Sequence, residues 1–201
     1  FIYMGEEIGM TNSKFADIDE LKDPVSHFVY DLMHSYGIPK SLAFRFVCYG
    51  ARDHARVPMP WDGSEGGGFT TASTPWQSFY TERRQINVEQ DLAAEKSIYR
   101  FYQKLLAIRK SEETLLRGST IEYYPDDRQV ISYSRSYEGK RYLIVGNFSG
   151  TRADFIMPGD FELDELSIKL TNRGRTDAEV EEIMQMKPYE AILFEENKKE
   201  V

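Results

Sequence analysis

The side chains best suited to chemistry are concentrated in residues 51–62, which contain two arginines, two aspartates, a histidine and a tryptophan. Pro58 and Pro60 oppose a regular helix, so we expect a loop there. An arginine offers a planar fork of donors that stays protonated, and an indole ring offers an apolar platform beside it. This combination suits a hydroxyl-rich or anionic ligand. The alternative is a surface loop whose arginines pair only with its own aspartates.

Two further acids, Glu6 and Glu7, directly follow the apolar residues 1–4. A short apolar run closed by Gly5 is typical of a strand buried on both faces of a parallel sheet. Acids at the carboxyl end of such a strand lie where barrel and doubly wound enzymes have their active sites. The structural alternative is that both carboxylates accept backbone N–H groups and hold the loop. Because the chain starts with neither a methionine nor a signal peptide, we expect it to be a piece of a longer protein.

Composition disfavours several kinds of partner. The formal charge of -8 over 201 residues, without a basic run, argues against a nucleic-acid surface. No stretch of about 18 apolar residues is present, so no membrane partner is expected. The single cysteine, Cys48, lies among apolar residues and is predicted to be a small buried hydrophobe, which suits a cytoplasmic protein. His27 and His34 have no third ligand type nearby, so neither a metal nor another cofactor is expected.

Two helices are predicted in the first half of the chain. Pro24 at a first turn predicts a helix that runs to Tyr36. Residues 41–49 form a buried segment of undetermined type. A capping pair at Asn87 and Gln90 precedes the second helix, from about residue 91 to 110, whose apolar face is interpreted as core.

The hydrophobic pattern changes from helical to alternating after Ser111. Six or seven short strands separated by turn groups predict an antiparallel sandwich. Residues 179–182, which contain three glutamates, and the tail at residues 195–201 are interpreted as solvated charge. The apolar runs are residues 119–124, 130–135, 142–147, 153–157, 166–171 and 191–194.

Three motifs resemble the last third of oligo-1,6-glucosidases, which belong to the α-amylase-type glycoside hydrolases together with dextran glucosidase, trehalose-6-phosphate hydrolase and sucrose isomerase. They are FIYMGEEIGMTN at residues 1–12, RDHARVPMPW at residues 52–61 and GFTT at residues 68–71. In this family a (β/α)8 barrel is followed by a β-sandwich. The resemblance therefore implies an α/β barrel remnant over residues 1–111, the last β/α unit with residues 1–4 as the eighth strand, followed by an all-β antiparallel sandwich domain over residues 112–201.

The resemblance also implies an activity. Family members hydrolyse α-glucosidic bonds with retention, which requires two carboxyl groups about 5–5.5 Å apart. Those carboxylates belong to earlier barrel strands, so we expect no catalytic residue in this chain and no activity from it alone. The expected partners are a small oligosaccharide substrate and the missing amino-terminal part of the enzyme. By the family pattern Arg52 binds the glucose unit before the cleaved bond, and the residues that support it are Asp53, Arg56, Trp61, Glu6 and Glu7.

Two departures from the family pattern bear on the substrate. Val25 stands where the family often has a glutamate that borders the leaving-group subsites, and Pro60 stands where it commonly has glutamine. The main hypothesis is an α-1,6-glucosidase acting at the non-reducing end of short oligosaccharides. Sucrose isomerisation, trehalose-6-phosphate hydrolysis and a non-catalytic relative that serves as an interaction domain are the alternatives. A phosphate would need cationic groups, and residues 11–40 offer only Lys14, Lys22 and Lys40.

Overall fold

The chain forms two compact units, Phe1–Tyr102 and Gln103–Val201. The structure is a computed structural model that describes residues 2–72 and 75–197. The division between the units lies inside a helix, Ile98–Ser111, and the domain boundary predicted between residues 111 and 112 stays a prediction.

Two helices of the first unit follow from their sequences. Helix α1 (Pro24–Ser35) ends within one residue of its predicted end, with proline in its first turn and the Asp23 carboxylate accepting the Val25 N–H at 3.2 Å. Helix α2 (Lys40–Tyr49) is the segment whose type the sequence left undetermined. Both helices contribute to a small core with the loops around them. Its buried members are Phe15, Leu21, Val47, Ala51, Val57 and Tyr80.

The strand predicted for residues 1–4 is absent from its described part. Ile2 and Tyr3 belong to no regular element and Met4 begins a turn, while Phe1 lies outside the described residues. A strand needs a neighbour to pair its backbone groups, and every strand pair among the described residues is antiparallel and lies in the second unit. The prediction of a buried parallel strand was therefore wrong for residues 2–4 of this chain.

The long helix predicted from about residue 91 to 110 is two helices, α3 (Val88–Ala93) and α4 (Ile98–Ser111). Asn87 caps α3 by accepting the Gln90 N–H at 2.9 Å, so the predicted capping pair is confirmed. The Asp91 carboxylate accepts the Ile98 N–H at 2.9 Å, and this bond starts a new helix instead of continuing the first. No residue of α4 is buried, so the interpretation of its apolar face as core was wrong. An apolar face becomes core only where another element covers it.

Cys48 also differs from its prediction as a buried residue. It is half-buried and packs against the edge of the first core cluster. Burial raises the pKa of its thiol, so the thiolate is disfavoured at neutral pH.

The second unit is built from antiparallel strands, as predicted. All six expected strands form, and a two-residue hairpin at Glu138 and Gly139, both with positive φ, joins the second to the third. The seventh strand, Ile183–Met186, was not assigned because the acids before it hide the alternation of buried Met184 and Met186 with their exposed neighbours. The strands are β1 (Ser119–Tyr123), β2 (Val130–Tyr137), β3 (Lys140–Asn147), β4 (Ala153–Ile156), β5 (Leu166–Thr171), β6 (Ile183–Met186) and β7 (Ala191–Glu196).

The strands form two sheets that share one core. The larger sheet has the order β1-β2-β3-β7-β5, and β4 pairs with β6 in the smaller one. Short helix α5 (Glu113–Arg117) precedes β1. The buried cluster draws side chains from both sheets, including Leu143, Val145, Phe155, Met184, Met186 and Phe194. No helix of the described residues is long and apolar enough to cross a membrane.

A buried ion pair fixes the loop before β6 to the start of β7. Arg175 Nε and Nη2 donate to the two oxygens of Glu190 at 3.0 and 2.9 Å, and the Glu190 side chain is 0% exposed. Burial raises the pKa of Glu190, but the Arg175 guanidinium and the Lys187 N–H outweigh this effect and lower it. The bidentate pair therefore keeps a buried carboxylate ionised.

We expect Arg175→Met to lower the free energy of unfolding by about 3–5 kcal/mol, because it leaves the Glu190 carboxylate buried and uncompensated. Chemical denaturation of the chain measures this change. The matched control is Arg173→Met, since the exposed Arg173 side chain makes a single hydrogen bond among the described residues, to the Pro188 carbonyl, and its loss should cost about 1 kcal/mol or less. Equal effects of the two variants would contradict the prediction.

Glu195 on β7 is held by two lysines and its side chain is only 15% exposed, so its interpretation as solvated charge was wrong. Its carboxylate lies 2.8 Å from Lys140 Nζ and 2.7 Å from Lys169 Nζ, and the Tyr142 hydroxyl donates to it at 3.0 Å. Burial alone would raise the pKa of Glu195, but the hydrogen bonds from Lys140 and Lys169 lower it to about 2. Glu112, just before α5, also accepts from Lys140 at 2.7 Å, so the network joins that residue to the sheet.

Because the folded-state pKa of Glu195 lies below its ordinary value of 4.5, its stabilisation is present above that pH and is lost as the pH falls toward 2. We therefore expect Glu195→Gln to be less stable than the wild type at pH 7, with the difference shrinking between pH 4.5 and 2. Denaturation at several pH values measures it, with exposed Glu162→Gln as the control. A pH-independent difference for Glu195→Gln would refute the prediction.

Candidate functional site

The candidate loop is more regular than its prolines suggest. Arg52–Arg56 form a 3-10 helix, and extended backbone begins at Val57. The expectation of a plain loop was therefore wrong for these five residues, because Pro58 and Pro60 lie beyond the helical turn and do not interrupt it. The turn fixes the directions in which Arg52, Asp53 and Arg56 leave the backbone.

Arg52 has an acidic partner outside its own loop. Its Nε lies 3.3 Å from Oδ2 of Asp23, the residue that caps helix α1. The Asp23 side chain is 6% exposed, whereas the Arg52 side chain is 64% exposed. One edge of the guanidinium is therefore held by a buried carboxylate while the rest of it faces outward.

Asp53 and Arg56 complete the cluster. Asp53 is buried, and its Oδ2 accepts the Asp23 backbone N–H at 3.1 Å. Arg56 Nη1 lies 3.6 Å from the other Asp53 oxygen and 4.0 Å from Oδ2 of Asp23. Two guanidinium groups thus neutralise two buried carboxylates, which we name the Arg–Asp cluster (Asp23, Arg52, Asp53 and Arg56).

Trp61 belongs to a different local structure. Its backbone N–H donates to the Gly67 carbonyl at 2.8 Å, which closes the glycine-rich loop of residues 62–67. Gly68 has a φ of +64, and a Cβ there would lie 2.7 Å from an Asp62 carboxylate oxygen, so this turn requires glycine. The Trp61 side chain is 52% exposed, and no cation–π contact in the described part of the chain joins it to Arg52.

Glu6 and Glu7 hold their own loop. Glu6 Oε2 accepts the Tyr3 N–H at 3.1 Å and Glu7 Oε2 accepts the Gly5 N–H at 2.7 Å. These are the interactions that the structural alternative predicted for the two acids.

Two clefts lie beside these residues. The first, about 360 Å³, is lined by residues that include Glu6, Tyr49 and His54. The second, about 470 Å³, is more apolar and is bordered by Arg56 and Trp76. Arg52 lines neither cleft, so its donors project from the surface of the unit instead of into one of these cavities.

The three histidines make structural hydrogen bonds. His27, His34 and His54 each have a ring nitrogen within 3.2 Å of a backbone carbonyl, of Leu21, Ile38 and Cys48 respectively. No group of three His, Cys, Asp or Glu residues in the described chain could hold a metal ion.

The cluster residue that the sequence interpretation missed is Asp23. The Asp-Pro pair predicts a helix start, but it gives no indication that Asp23 also contacts Arg52. Chemically, the cluster presents fixed hydrogen-bond donors to a ligand. Its carboxylates accept backbone N–H groups and pair with these arginines, while Oδ1 of Asp53 is buried without a hydrogen bond from the described residues, 3.6 Å from Arg56 Nη1. The cluster is suited to binding hydroxyl groups and not to proton transfer.

The chain belongs to the α-amylase family, because residues 1–118 match the family described as alpha amylase, catalytic domain. It is 36% identical to an oligo-1,6-glucosidase of Halalkalibacterium halodurans over 96% of its length and covers 34% of that protein. It is 34% identical to a trehalose-6-phosphate hydrolase of Bacillus subtilis, again over 96% of the chain and 34% of the relative.

Solved structures give the same family. The crystal structure of Bacillus licheniformis trehalose-6-phosphate hydrolase matches 98% of this chain with a TM-score of 0.91 and 31% sequence identity, and the match covers 36% of that structure. The chain thus spans about a third of the length of the relatives it matches.

Proposed function

We propose that the chain is the carboxyl-terminal part of a retaining α-glucosidase, which hydrolyses α-1,6-glucosidic bonds at the non-reducing end of short oligosaccharides. The identity to an oligo-1,6-glucosidase over nearly the whole chain supports this proposal. In it, residues 1–111 are the last β/α unit of the barrel and residues 112–201 are the sandwich domain. The catalytic carboxyl groups come from the rest of the enzyme, and the protein is cytoplasmic.

The observation that carries the proposal is that Arg52 is held at its Nε edge while the rest of its guanidinium is exposed. A guanidinium has five N–H donors, and the contact of Nε with Asp23 leaves the four on Nη1 and Nη2. A sugar presents neighbouring hydroxyl oxygens, and a charged donor to such an acceptor contributes about 1.5–3 kcal/mol when shielded from water. Arg52 binds the glucose unit before the cleaved bond in this proposal. Asp53 and Arg56 support it within the Arg–Asp cluster, and Trp61, Glu6 and Glu7 shape the surrounding loops.

The large apolar side chains exposed on the first unit support a role as part of a larger barrel. Phe28 on α1 and Phe46 and Tyr49 on α2 are among the most exposed aromatic residues of this unit. Large aromatic side chains are usually buried at least in part in soluble proteins. In the proposal the remaining barrel units cover these faces.

Trehalose-6-phosphate hydrolysis is the second candidate, favoured by the similarity to the Bacillus licheniformis enzyme. A phosphate requires free cationic donors. Lys14 Nζ already lies 2.7 Å from Glu82, and Lys22 Nζ donates to the Asp19 carbonyl at 2.8 Å. Only Lys40 of the three candidate lysines is without such a contact among the described residues, so we favour a neutral substrate. Parallel assays of the full-length protein with isomaltose and with trehalose 6-phosphate separate the two functions.

We expect the purified 201-residue chain to release no glucose from isomaltose or isomaltotriose, because it holds one flank of the site without the reacting carboxyl groups. The full-length protein that carries the chain is the positive control under the same conditions. Turnover by the isolated chain would refute the assignment of catalysis to the missing part. An inactive full-length protein would favour the non-catalytic relative.

We expect Arg52→Ala in the full-length protein to lower kcat/KM for isomaltose by about 10-fold or more, because the charged donors to the glucose hydroxyls are lost. Steady-state kinetics measures it. The matched control is Arg128→Ala, since Arg128 is an exposed arginine in the turn before β2. Unchanged kinetics of Arg52→Ala would remove Arg52 from the site.

A further inference from the structure

Asp23 has a role in this unit beyond capping a helix. We propose that Asp23 is a positioning residue, which holds the guanidinium of Arg52 by its Nε edge so that Nη1 and Nη2 face the glucose hydroxyls. This inference rests on the proposed function, because it gives Arg52 the glucose as its ligand. It assigns the orientation of that arginine to a residue from a different segment of the chain.

The two oxygens of Asp23 have different partners. Oδ1 accepts the Val25 N–H at 3.2 Å and caps α1, whereas Oδ2 lies 3.3 Å from Arg52 Nε. The Asp23 backbone N–H in turn donates to Asp53 at 3.1 Å. The carboxylate is therefore fixed by its own backbone on one side and by the helix start on the other. Because the Asp23 carboxylate is fixed, the orientation of the Arg52 guanidinium is set by its ion pair with Asp23.

Asp53, although adjacent to Arg52 in sequence, does not perform this task. Its Oδ2 is used by the Asp23 N–H, and its Oδ1 faces Arg56 at 3.6 Å. Consecutive residues of a helical turn point in different directions, which separates the Asp53 carboxylate from the Arg52 side chain. Asp53 thus pairs with Arg56 and accepts the Asp23 backbone N–H. Asp23 instead pairs with Arg52 at 3.3 Å and lies farther, at 4.0 Å, from Arg56.

The position of Arg52 explains why it needs such a partner. Its side chain is mostly exposed, and a free arginine samples many rotamers that would have to be ordered on ligand binding. An ion pair with a fixed, buried carboxylate restricts these rotamers before the ligand arrives. Because Asp23 is buried, solvent screens this pair less than a pair between two exposed side chains.

Asp23→Asn in the full-length protein tests the inference. Asparagine caps helices about as well as aspartate and has the same shape, so α1 and the thermal stability should be retained while the charge next to Arg52 is lost. We expect kcat/KM for isomaltose to fall about 10-fold. In an Arg52→Ala background the same substitution should have no further effect, because the positioned group is already absent.

The matched control is Asp17→Asn. Asp17 caps the 3-10 helix Ile18–Glu20 by accepting the Asp19 N–H at 2.9 Å, and it forms no ion pair with an arginine in the described chain. The substitution and the capping chemistry are the same, so wild-type kinetics are expected. The NMR signal of the Arg52 Nε–H, assigned with Arg52→Lys, should shift in Asp23→Asn and stay unchanged in Asp17→Asn.

The outcomes separate this inference from the proposed function. If Arg52→Ala loses turnover and Asp23→Asn does not, or if Asp23→Asn costs the same in both backgrounds, the inference is wrong and the proposed function stands. If the full-length protein does not hydrolyse isomaltose, the proposed function fails and the orientation of Arg52 toward glucose fails with it. An Arg52 Nε–H signal that is unchanged by Asp23→Asn overturns the inference whatever the activity.

Discussion

The structure of the first unit depends on the burial of two carboxylates, Asp23 and Asp53. Burying a charge is costly unless it is paired and hydrogen-bonded, and here each carboxylate has both kinds of partner. Backbone N–H groups at the start of α1 supply part of the compensation, and the Arg52–Arg56 turn supplies the cations. The helix start depends on the turn, because Asp23 takes its cationic partners from Arg52 and Arg56. The turn depends on the helix start, because Asp53 accepts the Asp23 backbone N–H in addition to pairing with Arg56. This mutual requirement connects segments that are far apart in sequence.

The same constraint determines what the site offers to a ligand. Asp53 is completely enclosed, and its partner Arg56, whose side chain is 37% exposed, borders the second cleft. Arg52 contacts the cluster only through Nε and carries its remaining donors to the outside. A guanidinium that is held at one edge by a buried carboxylate is already ordered before any ligand binds. Such ordering reduces the entropy that ligand binding would otherwise cost.

The parts of the molecule that were predictable from sequence are those set by local pattern. Alternating residues and turn glycines located six strands, and Asn87 located a cap. The failures occurred where a side chain had a partner that spacing does not reveal. Asp91 accepts the Ile98 N–H and divides a continuous helical pattern, and Asp23 pairs with an arginine from another segment. The residue types at 52–56 predict a hydroxyl-rich or anionic ligand. The fold was needed to identify which aspartate pairs with which arginine.

The start of α1 contains a buried acid, Asp23, and an exposed apolar residue, Val25. Asp23 contacts Arg52, while Val25, at the departure from the family pattern, is exposed two residues later in the first turn of the same helix. In the proposed enzyme the buried acid keeps Arg52 in place for glucose, and the exposed Val25 changes the neighbouring surface without disturbing the cap. In the proposed enzyme, glucose binding and leaving-group preference are therefore separable. A change at position 25 leaves both partners of the Arg52–Asp23 pair in place, because Asp23 reaches residue 25 only through its backbone N–H.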